Sequence, residues 1–310
     1  MTRDDGPPPA RLERVTDRVW AWVQEDGTWW VNNAGVVSGG DGLLIVDTCA
    51  TERRTQAFLG AVDRESGGPV RWAVNTHAHG DHTYGNSLLP EDAVLIGHRL
   101  MCEHLRTDPV FDACPPLWDP VPHWGAVTRR VPELALTDAL LVDAGGLTVE
   151  LRHPGHPAHT TGDVVAWVPD EGVLFTGDLL FHGITPLVFM GSVEGALRSL
   201  DWLASFAPAY VVPGHGPVID GAELDQVLAR HRAYYRFVQE TAAEGIRRGA
   251  DPLTAARAAD LGPFAAWPDA ERLVPNLHRA YAEAGVGDVD IVAALTDAVT
   301  WVGHPMPTRV

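Results

Sequence analysis

The stretch Asn75-Thr76-His77-Ala78-His79-Gly80-Asp81-His82 decides how this chain reads. It places three imidazoles and one carboxylate in the pattern H-x-H-x-D-H. With 14 His in 310 residues, chance would assemble those four positions in on the order of a few per thousand such chains. Neutral imidazole and carboxylate are the donors that suit Zn²⁺ and, less selectively, iron or manganese. His77 and His79 can converge on one cation while Asp81 and His82 turn toward a second. The competing reading is a solvated charged loop in which Asp81 caps a helix.

Working outward, the cluster follows a β-like run, Val70 to Asn75, itself preceded by a helical pattern over Thr51 to Arg64. Val19 to Val23, Trp29 to Val37 and Leu43 to Asp47 read as an opening antiparallel meander, cut by Asp26-Gly27 and Gly39-Gly40-Asp41-Gly42. After the cluster the pattern alternates: strand Ala93 to Ile96, helix His98 to Arg106, strands Leu147 to Leu151, Val164 to Val168 and Val173 to Phe175, helix Val193 to Phe206, strand Tyr210 to Val212. That alternation is the mark of an α/β fold.

Three more polar groups sit just after β-like runs. They are His153-Pro154-Gly155-His156-Pro157-Ala158-His159-Thr160-Thr161-Gly162-Asp163, then Thr176-Gly177-Asp178, then Pro213-Gly214-His215-Gly216. Loops at strand ends are where α/β folds build sites, and the glycines let backbone approach closely. Singly each is an ordinary turn; together and in this order they extend the metal reading.

Two segments stand apart. Thr107 to Glu133 holds six prolines and two Trp, too irregular for an element and too apolar for a solvated linker, and reads as a structured lid insertion. From Leu224 onward the pattern is helical, with Ala-rich stretches at Leu253 to Ala259 and Ile291 to Val299 and breaks at Gly262-Pro263, Pro268 and Pro275. The expected organisation is a catalytic domain over 11–223, carrying the 107–133 lid, and a helical extension over 224–310. Order is expected from Arg11, after Pro7-Pro8-Pro9.

Composition narrows the functions. A hydrophobic fraction of 45% with 21% charged residues is that of a packed globular chain, not a disordered one. The net charge of -18 repels phosphate backbones, so nucleic acid and anionic membranes are poor partners. All 23 basic residues are Arg, which excludes any lysine Schiff-base or lysine general-base mechanism. Cys49, Cys102 and Cys114 are odd in number and lack CxxC spacing, so buried free thiols are expected. No apolar run is long enough to span a bilayer, and Met1 to Arg14 has no apolar signal core; a cytoplasmic location is the expectation.

The order H-x-H-x-D-H, then H-T-x-G, then Gly-Asp, then Gly-His resembles the metallo-β-lactamase superfamily over Val19 to His215, about two thirds of the chain. The resemblance implies an αβ/βα four-layer sandwich. It implies that His77, His79 and His159 hold one metal, Asp81, His82 and His215 a second, with Asp178 bridging both. His159 is chosen over His156 because His159-Thr160-Thr161-Gly162 matches H-T-x-G; His153 is then a neighbour or a surface residue. A carboxylate at Asp178 and the Asp81-His82 pair resemble the dinuclear hydrolase branch of glyoxalase II-like thioesterases and lactonases, with two zinc ions, or iron or manganese in their place. The runs Thr176 to Ser192 (TGDLLFHGITPLVFMGS) and Cys114 to Gly125 (CPPLWDPVPHWG) are similar to the cyclase/thioesterases of aromatic polyketide pathways, the actinorhodin second-ring cyclase-like group.

Two such cations make a shared water acidic enough to supply hydroxide near neutral pH, and one polarises the carbonyl of an ester or thioester. Asp178 would hold the pair together and Asp81 would orient the hydroxide. Trp118, His123 and Trp124 from the lid, with Phe181, His182, Phe189 and Met190 after Asp178, are the candidate substrate wall. An acidic carrier protein would need a local basic patch around Arg129 and Arg130. The alternatives are a glyoxalase II-like thioesterase or lactonase acting on a free small molecule, an iron-dependent dioxygenase-like enzyme, and a non-catalytic metal-stabilised interaction protein. The helical tail could supply a homodimer contact, a lid or a docking face.

Overall fold

Strand periodicity sorts the apolar residues onto two faces, and in the computed structural model, which describes residues 9–310, this sets the layers. Pro7 and Pro8 lie outside the described residues. The first sheet contains β1 (Arg11–Arg14), β2 (Val19–Val23), β3 (Ala34–Ser38), β4 (Leu43–Val46), β5 (Val70–Val74) and β6 (Val94–His98). A two-residue β7 (Trp118–Asp119) lies apart, and β8 (Leu134–Leu136) closes the first sheet in the order β1-β2-β3-β4-β5-β6-β8. The first four strands are antiparallel neighbours, and β4, β5, β6 and β8 run parallel.

The second sheet has β9 (Ala139–Asp143), β10 (Thr148–Arg152), β11 (Val165–Val168), β12 (Val173–Phe181), β13 (Tyr210–His215) and β14 (Ile219–Asp220), in the order β14-β13-β12-β11-β10-β9. In β4, Leu44 and Val46 join Val149, Leu151 and Phe175 in the layer between the sheets. Leu43 and Ile45 point the other way, onto Phe58 and Val62 of α1 (Glu52–Glu65). In β12, Phe175 faces the first sheet while Leu174 faces the helices behind the second. Helix, sheet, sheet, helix is the four-layer arrangement expected.

Helices start where capping residues dictate. Thr51 Oγ1 accepts from Arg54 N at the start of α1, and His79 precedes the single turn α2 (Gly80–Thr83). After α3 (Arg99–Leu105), Asp108 caps the single turn α4 (Pro109–Asp112), and Ser192 caps α5 (Val193–Ala204). The C-terminal part holds α6 (Gly221–Arg247), α7 (Pro252–Ala258), α8 (Leu273–Glu283) and α9 (Ile291–Val302), ending in β15 (Met306–Pro307). These helices share one apolar cluster with β12 and α5: Tyr234, Leu277 and Leu295 pack with Leu174, Phe181 and Leu200. The extension is therefore continuous with the core behind the second sheet.

The structure differs from the sequence reading in three places. The strand expected over Trp29 to Val37 starts only at Ala34. Upstream, Asn33 N donates to Gly214 O at 2.7 Å and Asn33 Nδ2 to Pro213 O at 2.9 Å and Gly216 O at 2.7 Å, which draws the chain out of the sheet toward the His215 loop. The run at Val173 continues to Phe181 rather than stopping at Phe175, because β12 follows parallel β13 through two register shifts. Pro275 does not break a helix but sits in the first turn of α8, where its missing N–H has no intrahelical partner to lose. The lid insertion is structured, as its composition suggested: β7 pairs in parallel with β15, and Ala126 N donates to Glu52 Oε2 at 2.7 Å.

The packing between the sheets leaves little slack at one point. A Cβ on Gly35 would lie 2.1 Å from Phe175 Cε1, so the ring fills the space that the glycine vacates. Phe175→Ala should lower unfolding free energy by about 3–5 kcal/mol. Urea denaturation should show a lower midpoint at an unchanged slope, and an unchanged midpoint would contradict this packing.

Candidate metal centre

The parallel strands β4, β5 and β6 end at one edge, and β5 delivers the chain directly into Asn75 to His82. From the second sheet, β12 carries Asp178 and β13 carries His215, while His159 lies in the loop before β11. His77, His79, His159 and Asp178 form one group whose ligand atoms lie within 4.8 Å of one another; Asp81, His82 and His215 form a second. The two groups meet at Asp178. Its carboxylate lies 3.2 Å from His82 Nε2, 3.4 Å from both His159 Nε2 and His215 Nε2, and 3.8 Å from His77 Nε2. Asp81 Oδ2 lies 3.2 Å from His215 Nε2 and 3.8 Å from His82 Nε2. The backbone of β13 comes so near that a Cβ on Gly214 would stand 1.8 Å from Asp178 Oδ1. Only glycine fits there.

Each imidazole is aimed by its other nitrogen. His159 Nδ1 bonds Leu187 O at 2.6 Å and His215 Nδ1 bonds Gly27 O at 2.8 Å, which turns both Nε2 atoms inward. His82 Nδ1 bonds Asp47 Oδ2 at 2.8 Å, and His77 Nδ1 lies 3.0 Å from Thr76 Oγ1. His79 is reversed: its Nε2 lies 3.0 Å from Met190 Sδ, while Nδ1 faces His159 Nε2 at 2.9 Å. Such outer contacts fix tautomer and ring direction at metal sites. Asp47 is the residue that the sequence reading missed. It follows β4 in the left-handed region (φ 60°), is buried, and accepts from Thr76 N at 2.7 Å and Thr76 Oγ1 at 2.8 Å as well as pairing with His82. Its placement at the end of an apolar run was the available signal.

The electrostatics suit cation binding. Burial drives His77, His79 and His159 below the usual imidazole range, so their lone pairs are free. Burial would also lower His82 and His215, but the carboxylates around them together outweigh it, Asp178 with Asp47 and Asp81 at His82 and Asp178 with Asp81 at His215; His82 is held well above its ordinary value and His215 at about 9. Burial would raise Asp81, but His82 and His215 bring it to about 2. Asp178, against the same burial, is held well below the carboxylate range, by His215 first and then His82. His77 Nε2, His82 Nε2 and Asp178 Oδ1 are nonetheless buried with no hydrogen-bond partner among the described residues. Buried polar atoms are rarely left so, and a divalent cation among imidazoles and carboxylates would satisfy them.

Above this floor opens a cleft enclosing about 850 Å³, open solvent at its mouth included. Of the residues expected at the substrate wall, Trp118, Phe181, Phe189 and Met190 line it. Three do not. His123 is exposed, Trp124 packs its ring 4.8 Å from Trp30 and 4.9 Å from Tyr84, and His182 Nδ1 turns to Pro217 O at 3.1 Å. His156 lies against α5, bonding Gly195 O at 3.1 Å, and His153 stacks on His98 at 4.2 Å, so neither joins the metal groups. The basic patch considered around Arg129 and Arg130 is spent internally, on Asp112, Asp108 O and Leu105 O, and on Glu133, Leu89 O and Ala93 O. Cys49 and Cys102 are buried and Cys114 half-buried, all as free thiols.

The model of the metallo-beta-lactamase superfamily matches residues 27–215. A linear primary-alkylsulfatase of Pseudomonas sp. is 24% identical over 254 residues, 70% of this chain and 48% of that protein, so the chain spans about half of that relative. An atrochrysone carboxyl ACP thioesterase of Pseudocercospora fijiensis is 23% identical over 229 residues, 71% of this chain and 61% of that protein. A solved metallo-beta-lactamase from Pontibacter korlensis superposes with a TM-score of 0.60 at 18% identity, covering 74% of this chain and 99% of that one, a likeness of fold. Among the described residues no helix is long and apolar enough to cross a membrane.

Two outcomes follow from the site. Asp47→Ala frees His82 to rotate and should weaken zinc binding about 10–100-fold, read by competition with a chelator. Because the surrounding carboxylates raise His82 above its ordinary value and His215 to about 9, loading should displace protons, and affinity should fall as the pH is lowered from about 9. Calorimetric zinc titrations in two buffers of different ionisation enthalpy should show net proton release, and identical heats would contradict it.

Proposed function

The chain belongs to the metallo-β-lactamase superfamily, and from that membership we propose that it is a dinuclear zinc hydrolase cleaving an ester or thioester. More finely, we read it as a cyclase/thioesterase of the polyketide type. The observation that carries the reading is one buried carboxylate, Asp178, lying within 3.2 to 3.8 Å of imidazoles from both ligand groups at the floor of an apolar cleft. The similarity to a carboxyl ACP thioesterase supports the choice of a thioester. A structural zinc site is normally closed and four-coordinate; a two-group set opening into a cleft speaks for catalysis.

His77, His79 and His159 would hold one cation and Asp81, His82 and His215 the other, with Asp178 shared. When bound, such a pair supplies Lewis acidity and a water acidified toward neutrality. The chain's own residues do the rest. Leu187 O and Gly27 O keep His159 and His215 in the tautomer that offers Nε2 inward. Asp47 holds His82 and the Thr76 backbone in one unit, so the β4 and β5 ends cannot drift apart. Asp81, which lines the cleft, is placed to orient the attacking water through its carboxylate. Phe181, Phe189 and Met190 line the cleft beside the floor and give it apolar surroundings.

A free small-molecule thioester is the second reading, favoured by the internal bonding of Arg129 and Arg130, which leaves them no basic patch for an acidic carrier. Hydrolysis of acyl-N-acetylcysteamine thioesters and a lactone panel by purified protein separates the readings, with elemental analysis alongside. The expectation is two divalent ions per chain and thioester turnover. Asp178→Ala should lose one ion and most turnover. A sample that binds no transition metal, or that holds a single iron and no zinc, overturns the proposal.

A further inference from the structure

The superfamily match ends at His215, yet part of the cleft is built by residues beyond it. Ile291, Val292 and Leu295 of α9 line the cleft, together with Arg272 just before α8. In a helix, residues three and four apart are neighbours, so Leu295 adjoins both Val292 and Ile291 and the three form one apolar patch. Leu295 is 4% exposed, whereas Val292 is 48% exposed, a large apolar side chain left to water on the wall of a cleft. The wall is held in place. Asp290 caps α9 on Ala293 N at 3.0 Å, and His278 Nε2 meets Asp297 Oδ2 at 2.9 Å across α8 and α9. Beyond α9, Met306 N donates to Leu117 O at 2.9 Å and Thr308 Oγ1 to Trp29 O at 3.0 Å, tying this wall to the segments that bring Trp118 and Trp29 to the cleft.

The charges in the cleft say what it accepts. Among the described residues Arg272 is the one arginine lining it, and the chain has no lysine. Arg272 is 2% exposed and its two terminal nitrogens are engaged: Nη1 donates to Thr185 O at 3.0 Å and Nη2 lies 2.8 Å from Asp269 Oδ2, while Nε is buried without a partner and the guanidinium stacks over Trp29 and Phe181. Asp108, which also lines the cleft, accepts from Tyr84 OH at 2.7 Å and Val110 N at 3.0 Å. Away from the metal floor, then, a negatively charged ligand group meets a carboxylate and no free guanidinium. His104 and the phenol of Tyr84, which is already engaged with Asp108, are the other titratable side chains there. The remaining lining is Trp, Pro, Val, Ile, Leu, Phe and Met, with Ala78 and Gly80 next to the floor.

We propose that this cleft is an acyl-group site for an uncharged, apolar substituent, and that Ile291, Val292 and Leu295 set the size of group it takes. The proposal rests on the ester or thioester reading for the word acyl, but not for the apolar site itself. Each buried methylene adds about fourfold in affinity, so a wall that truncates or lengthens the cleft discriminates acyl chains directly.

Two independent readouts test it on the zinc-loaded full chain. The first is fluorescence titration with neutral N-phenyl-1-naphthylamine and with its anionic counterpart anilinonaphthalene sulfonate. The neutral probe should bind the more tightly. Val292→Asp, at a half-exposed position that tolerates substitution, should weaken the neutral probe at least about tenfold by placing a charge in the apolar wall, and Leu295→Trp should do the same by filling it. Leu141→Ser, on the 69% exposed position of β9, should leave it unchanged. The second readout is hydrolysis of butanoyl- and decanoyl-N-acetylcysteamine, where the decanoyl-to-butanoyl ratio of kcat/KM should fall about tenfold in Leu295→Trp and rise in Leu295→Ala. Equal probe affinity in wild type, Val292→Asp and Leu295→Trp overturns the wall. Tighter binding of the sulfonate overturns the requirement for an uncharged group. Absence of hydrolysis with the probe response intact overturns the hydrolase reading and leaves the apolar site standing.

Discussion

Everything at this site follows from burying one carboxylate among imidazoles. Asp178 is 4% exposed, and an ion so placed survives only if opposite charge or strong donors surround it. Four imidazoles do so, drawn from the loop after β5, the loop before β11 and the end of β13. The two sheets are thereby bound to each other at their edges by charge, as they are bound along their length by Phe175 and its neighbours. The close approach demanded at Gly214 and the bonds that pull Asn33 away from β3 toward the His215 loop are consequences of the same convergence.

How much of this could be read from the sequence depended on how locally each feature is encoded. His77 to His82 announced themselves because four donors fall within six residues at a strand end. His159, Asp178 and His215 are single residues in ordinary turns, and only their order along the chain gave them meaning. The layers were legible because period-two alternation is written residue by residue in β4 and β12. Trp29 to Asn33 misled for the opposite reason: its alternation is that of a strand, but side-chain bonds to carbonyls some 180 residues away override it. Pro275 misled because a proline's effect on a helix depends on where the helix starts, and nothing before Leu273 marks that start. Asp47 was overlooked as a lone carboxylate, although it stands after an apolar run as the ligands do. The face of α9 had no local signal at all; it acquires meaning only from what it is packed beside.

Helices beyond the superfamily core would ordinarily be expected to dock as a satellite. Here they cannot be separated from the site, because Glu271 accepts from Trp29 Nε1 at 2.7 Å, Arg272 stacks on Trp29 and Phe181, and Phe181 stacks on His215 at 5.3 Å. One residue pair at the entry to α8 therefore touches both the cleft wall and the ring beside a metal ligand. Loosening that entry would disturb ligand geometry and substrate wall together, a coupling that a detachable domain would not impose.

The overall charge of -18 and the apolar cleft act in the same direction. A protein with that field slows the approach of anions, and away from the metal floor the cleft's one guanidinium is engaged by Thr185 and Asp269, so its walls give them no partner on arrival. The apolar walls also lower the local dielectric, which strengthens each interaction between Asp178, Asp81 and their imidazoles while raising the cost of any unpaired charge placed beside them. The arrangement that makes the floor strong is thus the one that makes the walls selective, and the group such walls admit most readily is a neutral one.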